Sequence, residues 1–275
     1  MIGGATRIVG VIGWPVAHSL SPAMHNAAFA ALGLDFCYVP FAVAPSQLGD
    51  ALAGALALSV VGLNVTVPHK ESVLPLCAVD AEARRIGAVN TLVRDGDRWW
   101  GHNTDRHGFA CLLDEARVER PRHAVVLGAG GAARAVVAEL AERAEHLTIA
   151  SRRAGILTVG DRSHAFGEVQ GIDGELLAGC DLLVDTTPRG LQGEPPMVDL
   201  SRLPRTAVVV DLVVKPMTPL VAAARQLGLA AHTGEAMLLH QGARAFSLWT
   251  GVEAPVEVMR RALVAALAGA GAGAG

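Results

Sequence analysis

Short apolar runs, each closed by a polar or Gly/Pro-containing segment, recur from one end of the chain to the other. RIVGVI (residues 7–12), CYVPFAV from Cys37 and VVGLNVTV from Val60 are too short for helices and rich in β-branched residues, so each predicts a strand, the third stopped by Pro68. Between them a helix is predicted from about Ala23 to Leu32, and another from about Gln47 to Leu58 capped by Ser46. A short helix is predicted over Glu71–Cys77. AVNTLVRDGDRWWGHNTD predicts a hairpin, with Asp95-Gly96 as its turn. The pattern then changes. HAVVL (123–127), HLTIA, DLLVDTT and AVVVDLV are apolar strands separated by helical or loop segments, which predicts a parallel, doubly wound sheet. Two helices follow, about Gly234–Trp249 and Pro255–Leu267, and the final AGAGAGAG (268–275) reads as a disordered tail. The fold class is α/β in two parts, an open α/β domain over 1–107 and a doubly wound domain over 108–237.

Composition narrows the function classes. The chain has 275 residues, 51% hydrophobic and 18% charged, enough to bury a sizeable core. A net charge of −3 provides no cationic excess for neutralising phosphates, so no nucleic-acid partner is expected. The most apolar long window, Ala51–Val67, is interrupted by Ser59, Asn64 and Thr66, so no membrane span is expected either. The N-terminal apolar run is broken by Gly, Trp and Pro and does not read as a signal peptide. Cys37, Cys77, Cys111 and Cys180 lack CxxC or zinc-site spacing, which predicts reduced thiols in the cytoplasm and no metal. Only two basic residues are lysines, Lys70 and Lys215, so a lysine within a motif stands out.

Val125-Val126-Leu127 leads into Gly128-Ala129-Gly130-Gly131-Ala132-Ala133, a G-x-G-x-x-A pattern between a strand and a helix. Gly128 permits the tight turn, Gly130 lets backbone approach a pyrophosphate, and Ala133 lets the helix pack close. The helix N-terminus offers unpaired N–H groups to the phosphates. A purely structural glycine turn is the alternative. The next strand ends at Ala150, and Ser151-Arg152-Arg153 follows where an acidic residue would favour NAD. Guanidiniums there suit a 2′-phosphate and point to NADP, against a solvated arginine pair.

Four polar clusters sit at strand or loop ends in the first part: His18-Ser19-Leu20-Ser21 with His25-Asn26; Asn64 through Lys70; Gly87 through Thr91; and Gly101 through Asp105. Ser19 and Ser21 can face one anion such as a carboxylate, or Ser21 can cap a helix. Strand alternation puts Asn64 and Thr66 on one face. One lysine, one carboxylate and several hydroxyls and amides suit a small polyhydroxylated acid and proton transfer coupled to hydride transfer. A buried Lys–Asp ion pair is the plainer alternative.

GWPVAHSLSPAMHN, GLNVTVPHKE, GAVNTL, NTD, VLGAGGAARA and GEAMLLHQGARAFSLWTG, in this order over about residues 8–251, resemble the shikimate/quinate dehydrogenase family. The resemblance implies a substrate-binding open α/β domain completed by C-terminal helices (about 238–267), and a Rossmann domain for NADP. It implies an oxidoreductase of chorismate and aromatic amino acid biosynthesis that reduces 3-dehydroshikimate to shikimate reversibly. The substrate is a polyhydroxylated cyclohexene carboxylate, and the assembly a monomer or homodimer. By position, Lys70 matches the catalytic lysine and Asp105 its partner. Ser19 and Ser21 match the serines holding the substrate carboxylate. Thr66, Asn90 and Gln241 match residues on the ring hydroxyls, and Asn64 belongs to the same motif. Gly128, Ala129, Gly130, Gly131 and Ala132 match the pyrophosphate loop, and Ser151, Arg152 and Arg153 the 2′-phosphate reader. Thr187, Leu212 and Gly234 match positions near the cofactor.

Three positions depart from the family pattern. Val214 stands where the family has Tyr, Arg106 where it has Gly after Asn-Thr-Asp, and Thr233 where it has an acidic residue. Val214 removes a polar contact to substrate, and strand alternation points Lys215 the other way. Quinate or aminoshikimate dehydrogenases of the same family, and a weakly catalytic ligand-binding paralogue, are the alternatives.

Overall fold

The five residues Val9–Gly13 of the first strand are all buried, as a strand flanked by parallel neighbours requires. In a computed structural model, which describes residues 2–168 and 174–272, the elements run in this order. The first stretch holds β1 (Arg7–Gly13), α1 (Ser21–Ala31), β2 (Phe36–Ala42), α2 (Leu48–Ala57), β3 (Gly62–Val65), β4 (Ala78–Val79), α3 (Ala81–Ile86), β5 (Thr91–Asp95), β6 (Arg98–His102) and α4 (Asp105–Glu115). The second holds β7 (His123–Leu127), α5 (Gly131–Arg143), β8 (His146–Ser151), β9 (Gly155–Val159), β10 (Arg162–Glu168), α6 (Gly174–Ala178), β11 (Leu182–Asp185), β12 (Val208–Asp211), α7 (Pro219–Gln226) and β13 (Ala230–Thr233). Helices α8 (Glu235–Thr250) and α9 (Val256–Ala272) close the chain.

Two compact units result, Met1–Gly108 with Leu239–Gly275, and Phe109–Leu238. The first carries a mixed six-stranded sheet in the order β2-β1-β3-β5-β6-β4. Strands β2, β1 and β3 are parallel, and β5 and β6 form the antiparallel hairpin expected from Asp95-Gly96, with Gly96 at φ +61°. The returning helix α8 seats Trp249 directly over Gly62, where a Cβ would strike the indole, and Trp249 Nε1 donates to the Leu92 carbonyl at 3.0 Å.

The second unit carries seven strands in the order β13-β12-β11-β7-β8-β10-β9, all parallel except the β9–β10 hairpin. With β7 counted first, the parallel strands read 3-2-1-4-5-6, the doubly wound order, and the direction of winding reverses between β7 and β11. Strands β7 and β11 are buried nearly throughout, as continuous apolar runs with helices on both faces should be.

Several sequence expectations need correction. Ser46 does not cap α2: a 3₁₀ turn over Pro45–Gln47 precedes the helix, and Gln47 takes the capping position without a side-chain bond. The Glu71–Cys77 helix is only a 3₁₀ turn at Leu74–Leu76, built on Pro75. The third strand is shorter than its apolar run, ending at Val65, so Thr66 lies beyond it. Helix α9 continues through Ala272, past the predicted end at Leu267, since alanine extends an established helix readily. Residues 273–275 lie outside the described residues. The β9–β10 hairpin is an element the sequence reading does not contain.

Candidate active site

In the first unit three strand ends bring polar side chains together. Asn64 on β3 is the register partner of Thr91 on β5, and Thr91 that of His102, the last residue of β6. Asn90 precedes β5, and Asn103, Thr104 and Asp105 lead from β6 into α4. Asn90 is the hub. The Thr104 backbone N–H donates to its Oδ1 at 2.7 Å, which turns Nδ2 toward Thr104 Oγ1 (2.9 Å), Asp105 Oδ1 (2.9 Å) and Gln241 Oε1 (3.2 Å). Lys70 Nζ donates to the other Asp105 oxygen at 2.6 Å. Asp105 is therefore fixed at both oxygens, while Lys70 has two further N–H groups not engaged among the described residues. The side chains of the pair are 15% and 5% exposed, so the charges face little water.

The backbone around Lys70 is anchored from both sides. His69 is buried with Nε2 2.7 Å from the Val43 carbonyl, and the Lys70 carbonyl accepts from Val89 N–H at 2.8 Å. Asn103 fixes the other partner: its Nδ2 donates to the Ala88 carbonyl at 2.9 Å and its Oδ1 accepts from the Arg106 N–H opening α4.

A second strand of the network starts at Tyr38, whose hydroxyl donates to Asn64 Oδ1 at 2.7 Å and is hydrogen-bonded with Ser21. Burial holds this phenol far above its usual range, so it acts as a neutral donor. Asn64 Nδ2 reaches the Asn90 carbonyl and Thr91 Oγ1, both at 3.2 Å. Ser21 opens α1 and is not its cap, which is Leu20 without a side-chain bond; the Ser21 N–H donates to Ser19 Oγ at 3.3 Å. The hydroxyl of Thr66 makes no hydrogen bond among the described residues, while its methyl packs on Gly13. Lys70, Asp105, Asn90 and Gln241 thus form one cluster, with Asn64, Ser21 and Ser19 joined to it in sequence. Sequence reasoning does not select Tyr38, and it places Thr91, Asn103 and Thr104 in its polar clusters without giving them roles. A signal for Tyr38 exists: it is the chain's one tyrosine, inside an apolar strand.

In the second unit Gly128 has φ +109°, and a Cβ there would strike Thr186 Oγ1. Gly130 caps α5 with no side chain, and no atom lies within 4 Å of where its Cβ would stand. Ala133 is fully buried behind it. A backbone cradle of this kind, opening a 13-residue helix with no acidic residue in its first turn, fits a pyrophosphate. Ser151 ends β8, and Arg152 and Arg153 are exposed just beyond it. Thr187 follows β11, Leu212 follows β12 and Gly234 follows β13. Leu212 N–H donates to the Asp185 carbonyl, and Gly234 lies so close to the Leu212 carbonyl that no Cβ fits between them.

Among the described residues no helix is long and apolar enough to cross a membrane, and no His, Cys, Asp or Glu group could hold a metal. A family model for the shikimate dehydrogenase substrate binding domain matches residues 11–92, and one for the shikimate 5'-dehydrogenase C-terminal domain matches residues 234–264. Shikimate dehydrogenase (NADP(+)) of Methanopyrus kandleri is 47% identical over 280 residues, covering 94% of this chain and 95% of its own. The chain belongs to the shikimate dehydrogenase family.

Two solved members of this fold show its range. Shikimate 5-dehydrogenase from Thermus thermophilus, in complex with NADP(H) and shikimate, superposes with a TM-score of 0.83 at 35% identity, over 95% of this chain and all of that one. Quinate dehydrogenase from Corynebacterium glutamicum, in complex with NAD, has a TM-score of 0.83 at 32% identity, over 94% and 99%. Of the three departures from the family pattern, Arg106 has a local explanation. Arg106 is paired with Glu82 at 3.1 Å. The Lys215 ammonium is bound to the Leu191 carbonyl, so it does not replace the hydroxyl missing at half-buried Val214. Nothing in the structure explains Thr233.

Proposed function

We propose that the protein is an NADP-dependent shikimate dehydrogenase that reduces 3-dehydroshikimate to shikimate reversibly. The observation that carries this reading is the 2.6 Å Lys70–Asp105 contact inside the Asn90–Thr104–Gln241 cluster. NADPH supplies the hydride when bound. Lys70 delivers a proton to the reacting carbonyl oxygen as that oxygen gains negative charge, and takes it back in the oxidative direction. Asp105 aims the ammonium, and Asn90 keeps Asp105 from rotating. The hydroxyls of Ser19 and Ser21 would hold the substrate carboxylate. The unengaged hydroxyl of Thr66, with Asn64, Asn90 and Gln241, would meet the ring hydroxyls. On this reading residues 1–107 with about 238–267 bind substrate and 108–237 bind the dinucleotide through Gly128–Ala132, Ser151–Arg153, Thr187, Leu212 and Gly234. The setting is cytoplasmic, which the lack of a disulfide among Cys37, Cys77, Cys111 and Cys180 supports.

The test is a steady-state matrix of shikimate, quinate and an aminoshikimate against NADP and NAD. Shikimate with NADP gives the highest kcat/KM. Arg152→Ala/Arg153→Ala lowers kcat/KM for NADP by about 10–100-fold, the loss of charged hydrogen bonds to one phosphate, and leaves NAD unchanged. A higher kcat/KM for quinate with NAD would replace this reading with the quinate one, which Val214 leaves open.

A further inference from the structure

Strands β11 and β12 both end in an aspartate, Asp185 and Asp211, and the two are register partners on adjacent parallel strands. In-register neighbours project to the same face of a sheet, so the two carboxyls lie side by side. They are only 3% and 1% exposed, and neither has an ion pair among the described residues. Each is held by local donors instead. Asp185 Oδ1 accepts the Thr187 backbone N–H at 2.8 Å, and Asp211 Oδ1 accepts that of Val213 at 3.0 Å, with the Thr218 hydroxyl on Asp211 as well.

The turn that Asp185 holds is the one lying against the glycine loop. Thr186 Oγ1 donates to the Leu127 carbonyl at 2.7 Å, and Thr187 Cγ2 stands 3.2 Å from where a Cβ on Gly128 would be. Two charged side chains act on Asp185: Asp211 on β12, which opposes its ionisation, and Arg189 on the following loop, which favours it. Arg189 directs its Nε to the Pro195 carbonyl at 2.6 Å, and on β7 the register neighbour of Asp185 is Leu127. Burial raises the Asp185 carboxyl to about 6 and moves Asp211 in the same direction. Two buried carboxyls on register positions of adjacent strands do not both ionise freely, and their titration belongs to the pair.

We propose that Asp185 is a positioning residue for the dinucleotide: with Asp211 it forms a one-proton carboxyl pair that braces the Thr186–Thr187 turn against the Gly128 loop, and losing that proton places a second negative charge behind the loop and weakens dinucleotide binding. This deepens the NADP reading above and rests on it. Asp185→Asn keeps the shape, keeps an acceptor for the Thr187 N–H and imitates the protonated carboxyl at every pH.

The experiment is the Kd of the full-length protein for NADP+, by calorimetry, for wild type and Asp185→Asn. At about pH 8 the variant binds about 3–10-fold more tightly than wild type, and at about pH 5 the two are equal. The 2′-phosphate of NADP+ titrates in the same range but acts alike on both proteins, so the ratio isolates the carboxyl pair. Asp211→Asn gives the same pH-dependent ratio. Structural damage alone would weaken binding and would not produce a gain at high pH. A ratio that stays constant with pH, or weaker binding by Asp185→Asn at about pH 8, overturns the proposal. If wild type binds NAD+ and not NADP+, the NADP reading fails by itself, and the same ratio measured with NAD+ still decides the role of Asp185. If it binds neither, both readings fall.

Discussion

Lys70→Ala lowers kcat by about 10²–10⁴-fold, the range of a positioned proton donor, and leaves the Kd for NADP+ unchanged. The proton has no other route in the cluster. Asn90, Thr104 and Gln241 surround the pair, but amides and a threonine hydroxyl do not titrate near neutral pH, and Asp105 already has one oxygen toward Asn90. Removing the ammonium also strips a buried carboxylate of its counter-charge, which costs about 3–5 kcal/mol where one member of a buried pair is deleted. Stability and chemistry must therefore be separated. Lys70→Ala/Asp105→Asn removes the stranded charge, so the double variant regains most of the lost stability while its turnover stays as low as that of the single variant. Steady-state kinetics with denaturant unfolding of the three proteins checks both. Turnover near wild type in Lys70→Ala would end the assignment of the proton to this lysine.

The first unit loses stability as pH falls from about 6.5 toward 3, at about 1.4 kcal/mol per pH unit and about 5 kcal/mol in all. The source is His25. It is fully buried, stacked on Tyr38 at 4.4 Å between ring centroids with Trp249 at 5.3 Å, and neither ring nitrogen has a hydrogen-bond partner among the described residues. Burial lowers its pKa from 6.5 to about 3. The folded protein thus keeps the ring neutral where the unfolded chain would protonate it. A depressed histidine contributes fully above the unfolded pKa and loses its contribution as pH falls below it. Trp14, Trp99, Trp100 and Trp249 all belong to the first unit, so tryptophan fluorescence during urea unfolding reports this transition. In His25→Leu the slope between about pH 6.5 and 4 disappears. An unchanged slope would assign the acid sensitivity to other groups. Asp80, whose carboxyl the His102 contact and Ala83 N–H hold below its usual range, adds its own loss only at lower pH.

Where a local rule is free of competition, the sequence is legible. The apolar runs at β1, β7, β11 and β12, the Asp95-Gly96 hairpin and the G-x-G-x-x-A loop each follow from propensity or backbone geometry with no long-range partner. The β9–β10 hairpin is equally local, with Gly160 at φ +59° and alternating burial along β9, but its short strands follow directly on Arg152-Arg153 and their turn signal is weak beside that motif. Ser46 illustrates the opposite case, a good capping residue overridden when Pro45 tightens the chain into a 3₁₀ turn first. In the site, Lys70 and Asp105 are visible as a rare lysine and a motif carboxylate. Gln241 is visible only through the family resemblance and Tyr38 not at all, because their contacts with Asn90 and Asn64 span 151 and 26 positions, which no periodicity can display.

The first unit is built from the two ends of the chain, with Phe109–Leu238 inserted between them. During synthesis the inserted unit is complete before Gln241 and Trp249 have been made. The N-terminal sheet then waits with the seat over Gly62 vacant and Asn90 lacking its partner on α8. Domains tend to fold as units in the order they leave the ribosome, and exposed apolar surface on an unfinished one invites aggregation. The nascent chain is therefore most exposed to misassembly while residues 109–238 are being translated, and a chain stopped at Leu238 would carry a finished second unit and a first sheet still without its cover.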